Sequence, residues 1–455
     1  MNNFERMQAP QAESLDANWY ERFQSLGSFQ AHEYFDGDKE HREEQQRAFI
    51  SGEIINPNLD YPAIDPERLA NDESSLLQLK KDIITQEPNE TVKQIYRWKL
   101  NEKIAELRML KATESGDMRS FKKYSEFVYG KPSSEVFAYT VNNLKEKAAS
   151  KLSSKKPGLG QAAQELHDLL PADLPTEEYK LPEEAAIGQA REQTLQELKH
   201  LLPTEEVPNA EYGPEEIREV FQAALESLKA EGWNIIIDTT SKTGISVDQE
   251  NKSIDIPESR KLAFSKLESL VAHEIGTHVA RRLNGERSKL QLLGLGLDRY
   301  EQGEEGIATM REQVLGDKVK DFSGLEGHLA VGLATGVDGV ERDFREVYTI
   351  LEKYFYFKSL LAGKSPEEAL TSAQNNAWKR SVRTFRGTDC KTKGACFTKD
   401  MIYREGNIGV WDVINKNDGE LMRFNVGKYD PANPRHIWIL DQLGISESDL
   451  EELEK

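Results

Sequence analysis

Apolar residues recur at helical spacing along much of the chain. Between Glu73 and Ser150, the segments LLQLKKDII, VKQIYRWKLNEKIAELRML and VFAYTVNNLKEKAA carry apolar side chains three and four positions apart. Residues 304–320 and 340–385 have the same period. Such spacing gathers the apolar side chains on one face of a helix. The pattern therefore predicts a protein built mostly of amphipathic helices.

One region in the second half has the pattern of strands. WNIIIDTT is followed by GISVDQENKSIDIP, and the latter is typical of two short strands around an Asn-containing turn. The next segment, LAFSKLESLVAHEIGTHVARRLNG, is helical in period. We expect this helix to open near Pro257 and to end at Asn284-Gly285, a common C-terminal signal. The predicted fold class is α+β, mostly helical with a small antiparallel sheet.

Changes in composition divide the chain into four predicted parts. Residues 1–70 are rich in Gln, Glu, Asp and Asn and predict an extended segment that wraps around the rest. Residues 71–150 predict an N-terminal helical subdomain. Residues 151–215 are interrupted by Pro and Gly and predict an acidic linker or insertion. The sheet and the helix with the HEIGTH sequence fall in the last predicted domain, residues 216–455.

Length and charge exclude several classes of protein. The chain has 455 residues, more than one typical domain, and a formal net charge of −20. Such an acidic chain is not a general nucleic-acid binder, because neutralising phosphates requires a surplus of Lys and Arg. No run of about 18 apolar residues and no signal peptide is present, so we expect a soluble cytoplasmic protein that binds no membrane. The sequence does not predict an oligomeric state.

The cysteine content does not predict a disulfide framework. The two cysteines, Cys390 and Cys396, are too few for one and lack the partners of a second C-x-x-C pair. They could close a small loop, but we expect two free thiols.

The sequence HEIGTH, residues 273–278, differs by one residue from the zinc signature H-E-x-x-H. In a regular α-helix, residues four apart lie about 40° from each other around the axis, whereas residues five apart lie roughly 140° apart. A local π-bulge would bring His273 and His278 to the same face, and Gly276 makes that distortion easier. The alternative is two ordinary histidines, one partly buried and one solvated.

A second stretch, QGEEGIATMREQ at residues 302–313, changes the weight of these alternatives. Many zinc peptidases take a third ligand, a glutamate, from a helix that follows the histidine helix. Glu305-Gly306-Ile307-Ala308 has the Glu-Gly-apolar-Ala form of one large class. By itself, the Glu304-Glu305 pair could equally be carboxylates that stabilise a helix N-terminus.

Together, HEIGTH and EEGIA, joined by a linker with GLGLDRY, resemble the microtubule-associated tyrosine carboxypeptidase family. The bacterial members of this family are described as flavohemoglobin expression-modulating proteins with a QEGLA motif. Further segments look like family landmarks and extend the similarity over most of residues 50–440: NPNLDY, FKKYSEFVYGKPS, RTFRGT and FTKDMIYREG.

The resemblance implies a zinc metallocarboxypeptidase with a metallopeptidase-like catalytic domain and one Zn²⁺ per chain. By position, His273, His278 and Glu305 would be the zinc ligands and Glu274 the general base. The partner would be the C-terminal tail of a peptide or protein. Ile307 replaces the usual Leu, a harmless change. The acidic stretch 151–215 has no counterpart that we can match, so the tyrosine preference of animal relatives is not transferred.

The sequence leaves several roles open. Glu304 is an alternative third ligand, or it could orient a histidine through its ring N–H. Tyr403 is a candidate donor to the oxyanion of the reaction, or a buried tyrosine with a structural hydrogen bond. His328 lies in an apolar, Gly-rich stretch and is more simply a packed residue than a ligand.

Three basic residues are candidates for binding the substrate carboxylate. Arg386 and Arg383 belong to RTFRGT and Lys399 follows them, in a chain that is otherwise strongly acidic. Arg386 is the first choice and Lys399 the second. A bidentate arginine is the usual partner of a carboxylate, although an ordinary solvated charge cluster would have the same composition.

Two other functions remain compatible with the sequence. A zinc endopeptidase or aminopeptidase would use the same metal chemistry. A regulatory, metal-binding helical protein without turnover would keep the metal site as a structural element.

Overall fold

Helices dominate the fold, as the spacing of apolar residues predicts. A computed structural model describes residues 14–27, 31–35, 37–172, 174–175, 179–203, 211–239, 244–316, 319–446 and 448. The helices of its first half are α1 (Ala17–Gln24), α2 (Lys39–Ser51), α3 (Pro66–Gln86), α4 (Glu90–Ser115), α5 (Met118–Tyr129), α6 (Ser134–Ala149), α7 (Leu159–Leu169), α8 (Glu184–Leu198) and α9 (Pro214–Ser227). Those of its second half are α10 (Phe264–Leu270), α11 (Ala280–Arg287), α12 (Leu292–Leu295), α13 (Glu301–Leu315), α14 (Leu325–Thr335), α15 (Phe344–Leu361), α16 (Pro366–Phe385), α17 (Ile402–Lys416) and α18 (Pro434–Leu443).

Shorter helical elements complete the list. A π-helical segment, Val271–Val279, joins α10 to α11. The 3₁₀ helices among the described residues span Ala31–Phe35, Thr398–Met401 and Asp418–Asn425.

The described residues form two small sheets from five strands. The strands are β1 (Glu211–Tyr212), β2 (Asn234–Asp238), β3 (Ser246–Asp248), β4 (Ser253–Pro257) and β5 (Leu262–Ala263). β1 pairs with β5 antiparallel, and the larger sheet has the order β2-β4-β3.

The larger sheet differs from the prediction in one respect. β3 and β4 form the expected antiparallel hairpin, but β2 runs parallel to β4, so this sheet is mixed. The hairpin places β4 at the centre. The chain leaves β2, reverses in β3 and reverses again in β4, which therefore has the direction of β2. Ile254 and Ile256 of β4 are fully buried on one face of this sheet.

The N-terminal region is helical where an extended wrapping segment is predicted. In its described part, α1 buries Trp19, Tyr20 and Phe23, which recur at helical spacing. Phe49 of α2 stacks edge-on against Tyr348 of α15, with ring centroids 4.8 Å apart. The N-terminal helices thus pack on the C-terminal half, and the division of the chain into four domains stays a prediction.

Two hydrophobic clusters position the HEIGTH helix relative to α13. The π-helical segment belongs to one cluster, together with α9 and β4. The interior face of α13 belongs to another, together with α17. One cluster holds the π-helical segment in place and the other holds α13. The polar side chains between these two helices therefore have buried apolar packing on both sides.

Helices α13 and α17 approach each other through two glycines. A Cβ on Gly306 would lie 2.4 Å from the carbonyl oxygen of Gly406, and one on Gly406 would lie 1.9 Å from that of Gln302. Any larger side chain would push the two backbones apart. Gly306 of the EEGIA sequence is therefore required by close backbone approach.

Neither a disulfide nor a membrane span contributes to the described fold. Cys390 and Cys396 are buried free thiols, as predicted. Within the described residues, no helix is both long enough and apolar enough to cross a bilayer.

Candidate metal centre

The two histidines of HEIGTH lie on a π-helical segment. Val271–Val279 is a π-helix, which confirms the predicted distortion. The ring centroids of His273 and His278 are 4.9 Å apart, with the ring planes 79° from each other. The wider turn of this segment thus brings two side chains five positions apart to the same site.

Gly276 has a second role beyond easing the distortion. A Cβ at this position would lie 2.7 Å from Cδ1 of Leu198, a buried residue at the end of α8. The glycine therefore lets α8 pack directly on the π-helical segment. Part of the Pro-rich stretch 151–215 thus forms a wall of the site.

Helix α13 supplies three carboxylates to the histidines. Glu305 Oε2 lies 3.6 Å from His273 Nε2 and is a buried atom without a hydrogen-bond partner. Glu312 Oε1 lies 2.8 Å from His273 Nδ1, and Glu304 Oε1 lies 2.9 Å from His278 Nδ1. Glu304 thus hydrogen-bonds Nδ1 of His278, whereas Glu312 forms a close ion pair with Nδ1 of His273, and Nε2 of each ring is left for the site.

Besides His278, Glu304 contacts two buried cations. Its carboxylate accepts hydrogen bonds from Lys428 Nζ at 2.7 Å and from Arg281, and it is 3% exposed. Although burial opposes ionisation, Lys428 and Arg281 hold the pKa of this carboxyl well below its usual range. Both oxygens are occupied, which favours Glu305 over Glu304 as the carboxylate available to a metal.

Glu274 faces the same site from the π-helical segment. Donor atoms of His273, Glu274 and His278 all lie within 4.8 Å of one another. Glu274 is 8% exposed, and burial raises its pKa above the ordinary value of a glutamate. Burial alone would lower the pKa of His273, but Glu274, Glu312 and Glu305 outweigh it and raise the pKa to about 10.

These residues fit a zinc ion. Two imidazoles and one carboxylate are a common ligand set of catalytic zinc, with one position left for water. The unpartnered buried oxygen of Glu305 and the surplus of carboxylates around His273 both favour a bound cation. The donor atoms that all lie within 4.8 Å of one another belong to His273, Glu274 and His278, whereas Glu305 approaches His273 alone, with a buried oxygen that has no hydrogen-bond partner. Glu305 is the third ligand that the sequence motif predicts.

Tyr403, on α17, lies beside this group. The Glu305 carboxylate and then burial raise the pKa of its phenol well above the ordinary value. Its hydroxyl therefore stays protonated and able to donate. Asp400 and Tyr403 both raise the pKa of Arg383, so Tyr403 lies between the candidate metal centre and a cluster of arginines.

That cluster surrounds Asp400, a carboxylate that is 1% exposed. Arg383 donates to both of its oxygens at 2.9 and 2.8 Å, and Arg380 donates to Oδ2 at 2.6 Å. Arg386 Nη2 lies 3.8 Å from Oδ1. Three guanidinium groups therefore share Asp400, with Glu326 as a second carboxylate 3.9 Å from Arg380, and a positive surplus remains next to Tyr403.

The predicted carboxylate-binding residues differ in their accessibility. The side chain of Arg383 is 48% exposed, whereas that of Arg386 is 13% exposed and lies over the ring of Phe397. Lys399 is paired with Glu301 at 3.0 Å. Arg383 is thus the most accessible of the three.

Sequence reasoning missed some of these contacts and recognised others. Glu312 follows Glu305 by seven positions, two helical turns, and this spacing could have placed it at the site. Arg380 precedes Arg383 by three positions and could have been grouped with it. His328, by contrast, is a fully buried residue paired with Glu405 at 2.9 Å, in keeping with its predicted packed role.

Comparison with known proteins agrees with the geometry. A family model described as microtubule-associated tyrosine carboxypeptidase matches residues 173–448, more than half of the chain. This range contains every candidate residue of the metal centre and of the arginine cluster. No curated protein sequence matches the chain.

Proposed function

Because the chain belongs to the microtubule-associated tyrosine carboxypeptidase family, we propose that it is a zinc-dependent metallocarboxypeptidase. The family implies a carboxypeptidase that acts on C-terminal tails of proteins or peptides. The observation that carries the zinc dependence is the π-helical placement of His273 and His278 opposite the unpartnered oxygen of Glu305.

His273, His278 and Glu305 would hold the ion. Glu304 would orient the His278 ring by its hydrogen bond to Nδ1, and Glu312 would orient the His273 ring through the ion pair at Nδ1, as carboxylates commonly do for histidine ligands. Bound zinc would lower the pKa of a water molecule and polarise the carbonyl of the scissile peptide bond.

Glu274 is the proposed general base. It lies beside both histidines in a site from which burial excludes most solvent. Its carboxylate takes the proton of the attacking water and then passes it to the leaving amine. The product is a shortened peptide and a free amino acid, without a covalent intermediate between the enzyme and the substrate.

Tyr403 is the proposed donor to the oxyanion. Its phenol stays protonated next to Glu305, so it can donate a hydrogen bond to the oxygen that becomes negative during attack.

Arg383 is the proposed main contact of the terminal carboxylate, with Arg386 and Lys399 contributing positive charge. The cluster carries three guanidinium groups against Asp400, and Arg383 is accessible to solvent. A carboxylate placed beside Tyr403 would neutralise part of that surplus. The substrate class is therefore a peptide or protein with a free C-terminus, and the preferred terminal residue is left to experiment.

Matched peptides test this function. Protein loaded with zinc is incubated with two peptides that differ only in a free or an amidated C-terminus, with and without a chelator. We expect one zinc per chain, removal of one residue from the free peptide, no change in the amidated one, and no activity after chelation. Cleavage of the amidated peptide would instead support an endopeptidase or aminopeptidase. Bound zinc with no cleavage would support a regulatory metal-binding protein.

A further inference from the structure

The register of the π-helical segment removes the α-helical donor of one main-chain carbonyl. The N–H of Ala280 donates to the carbonyls of Ile275 and Thr277, and so passes over Gly276. In an α-helix this N–H would bond to Gly276, four residues earlier. The change of register therefore deprives the Gly276 carbonyl of its usual partner, and an unpaired buried carbonyl is costly.

Arg311, on α13, supplies a donor to this carbonyl. Its Nη1 donates to the carbonyl of Gly276 at 2.8 Å and to Oγ1 of Thr277 at 3.1 Å. Oγ1 of Thr277 in turn donates to the carbonyl of Ala272 at 2.9 Å, five residues earlier. One guanidinium and one hydroxyl thus satisfy main-chain oxygens at both ends of the wide turn.

The guanidinium is itself held in place. Arg311 is 1% exposed, and its Nη2 donates to Glu197 Oε2 at 2.5 Å and to Asn425 Oδ1 at 2.9 Å. Glu197 belongs to α8, and Asn425 ends the 3₁₀ helix Asp418–Asn425. Three separate elements therefore converge on this side chain and orient it towards Gly276.

We propose that Arg311 is a positioning residue that locks the π-helical register and so keeps His273 and His278 at one site. Without its hydrogen bonds, the segment is free to return towards an α-helix. In that register residues five apart lie roughly 140° apart around the axis, so the two histidines no longer converge. The hydrogen bonds of Arg311 go to Gly276, Thr277, Glu197 and Asn425 and not to a proposed ligand, so it acts through the backbone.

This inference rests on the proposed metal site, and zinc affinity tests both. The variants are Arg311→Met, which removes the donors, and Arg311→Lys, which keeps one. Arg345→Met is the matched control, because Arg345 also donates to main-chain carbonyls, those of Phe49, Ile54 and Ile55, but on α15. Zinc dissociation constants are measured by competition with a chelator. Amide hydrogen exchange of the metal-free proteins reports on Val271–Val279, and the visible spectrum of the cobalt-loaded proteins reports ligand geometry.

We expect Arg311→Met to weaken zinc binding by about 10- to 100-fold, as loss of orienting partners commonly does. It should also speed exchange in Val271–Val279 and change the cobalt spectrum, whereas Arg345→Met should do none of these. If Arg311→Met does not fold, Arg311→Lys and Glu197→Gln are the test, each with a loss of less than about tenfold.

Two results would overturn the inference, and they are distinguishable. If the wild type binds zinc and the Arg311 variants bind it as tightly as Arg345→Met, the positioning role alone is wrong. If the wild type binds no zinc, the proposed metal site fails and this role fails with it.

Discussion

Replacing Gly306 by alanine tests how closely α13 and α17 must approach. The added Cβ would lie 2.4 Å from the carbonyl oxygen of Gly406 and 2.5 Å from its carbonyl carbon. These are backbone atoms, which cannot rotate away. The two helices would have to separate by about 0.6 Å only to bring the closest contact to 3.0 Å, at a crossing packed to the density of a crystal.

The steric cost of the added Cβ to the free energy of unfolding can be separated from the gain in helix propensity. Overpacking a buried contact typically costs about 1–3 kcal/mol, while alanine in place of glycine in a helix gains roughly 1 kcal/mol. Gly188→Ala is the matched control, because it lies within α8 and its Cβ would have no neighbour within 4 Å. Both variants gain the propensity term, so their difference of about 1–3 kcal/mol measures the steric term.

The assay is chemical denaturation of the metal-free proteins, with free energies of unfolding obtained by linear extrapolation. A chelator in every sample removes any contribution of bound metal. We expect Gly188→Ala to be slightly more stable than the wild type and Gly306→Ala to be less stable than Gly188→Ala. Equal stabilisation by the two substitutions would refute the close approach of α13 and α17.

Three further predictions concern charge. The buried His436 ring bonds two main-chain groups as a neutral imidazole, and burial lowers its pKa to about 3. Between pH 7 and pH 5, His436 therefore takes up a proton only in the unfolded chain. Over this range the free energy of unfolding should fall by about 2 kcal/mol more in the wild type than in His436→Gln. Denaturation at both pH values measures this difference. Glu304→Gln and Glu312→Gln should each weaken zinc binding about 10- to 100-fold. Only Glu304→Gln leaves the buried cations Arg281 and Lys428 without their carboxylate, so only this variant should lose about 3–5 kcal/mol of stability. Equal stability of the two variants would contradict the buried ion pairs of Glu304. Arg383→Lys should lower kcat/KM for peptides with a free C-terminus about 10- to 100-fold, because a bidentate contact worth about 1.5–3 kcal/mol is lost, and an unchanged kcat/KM would exclude this contact.

The local pattern of the sequence predicts the helices and the π-helical distortion well. Helical spacing depends on neighbours three and four positions away, and the extra residue between His273 and His278 is itself a local feature. The β3–β4 hairpin is local in the same sense. The parallel pairing of β2 with β4 depends on the path of the chain between them, which spacing does not encode.

The candidate site could be predicted only in part, for the same reason. Motif spacing identifies His273 and Glu305 because the motif itself is their signal. The role of Arg311 depends on a carbonyl in another helix and on α8, which the sequence presents as part of a Pro-rich linker. Such a contact between distant elements has no signature along the chain.

The most direct test of the central claim compares wild type and Glu274→Gln, both loaded with zinc, on a peptide library with all twenty C-terminal residues. Mass spectrometry follows the products. The account predicts that both proteins bind zinc, that the wild type removes single C-terminal residues with a defined preference, and that Glu274→Gln leaves the library intact. Undiminished cleavage by Glu274→Gln would contradict the role of Glu274, and an intact library with both zinc-loaded proteins would contradict peptide hydrolysis at this site.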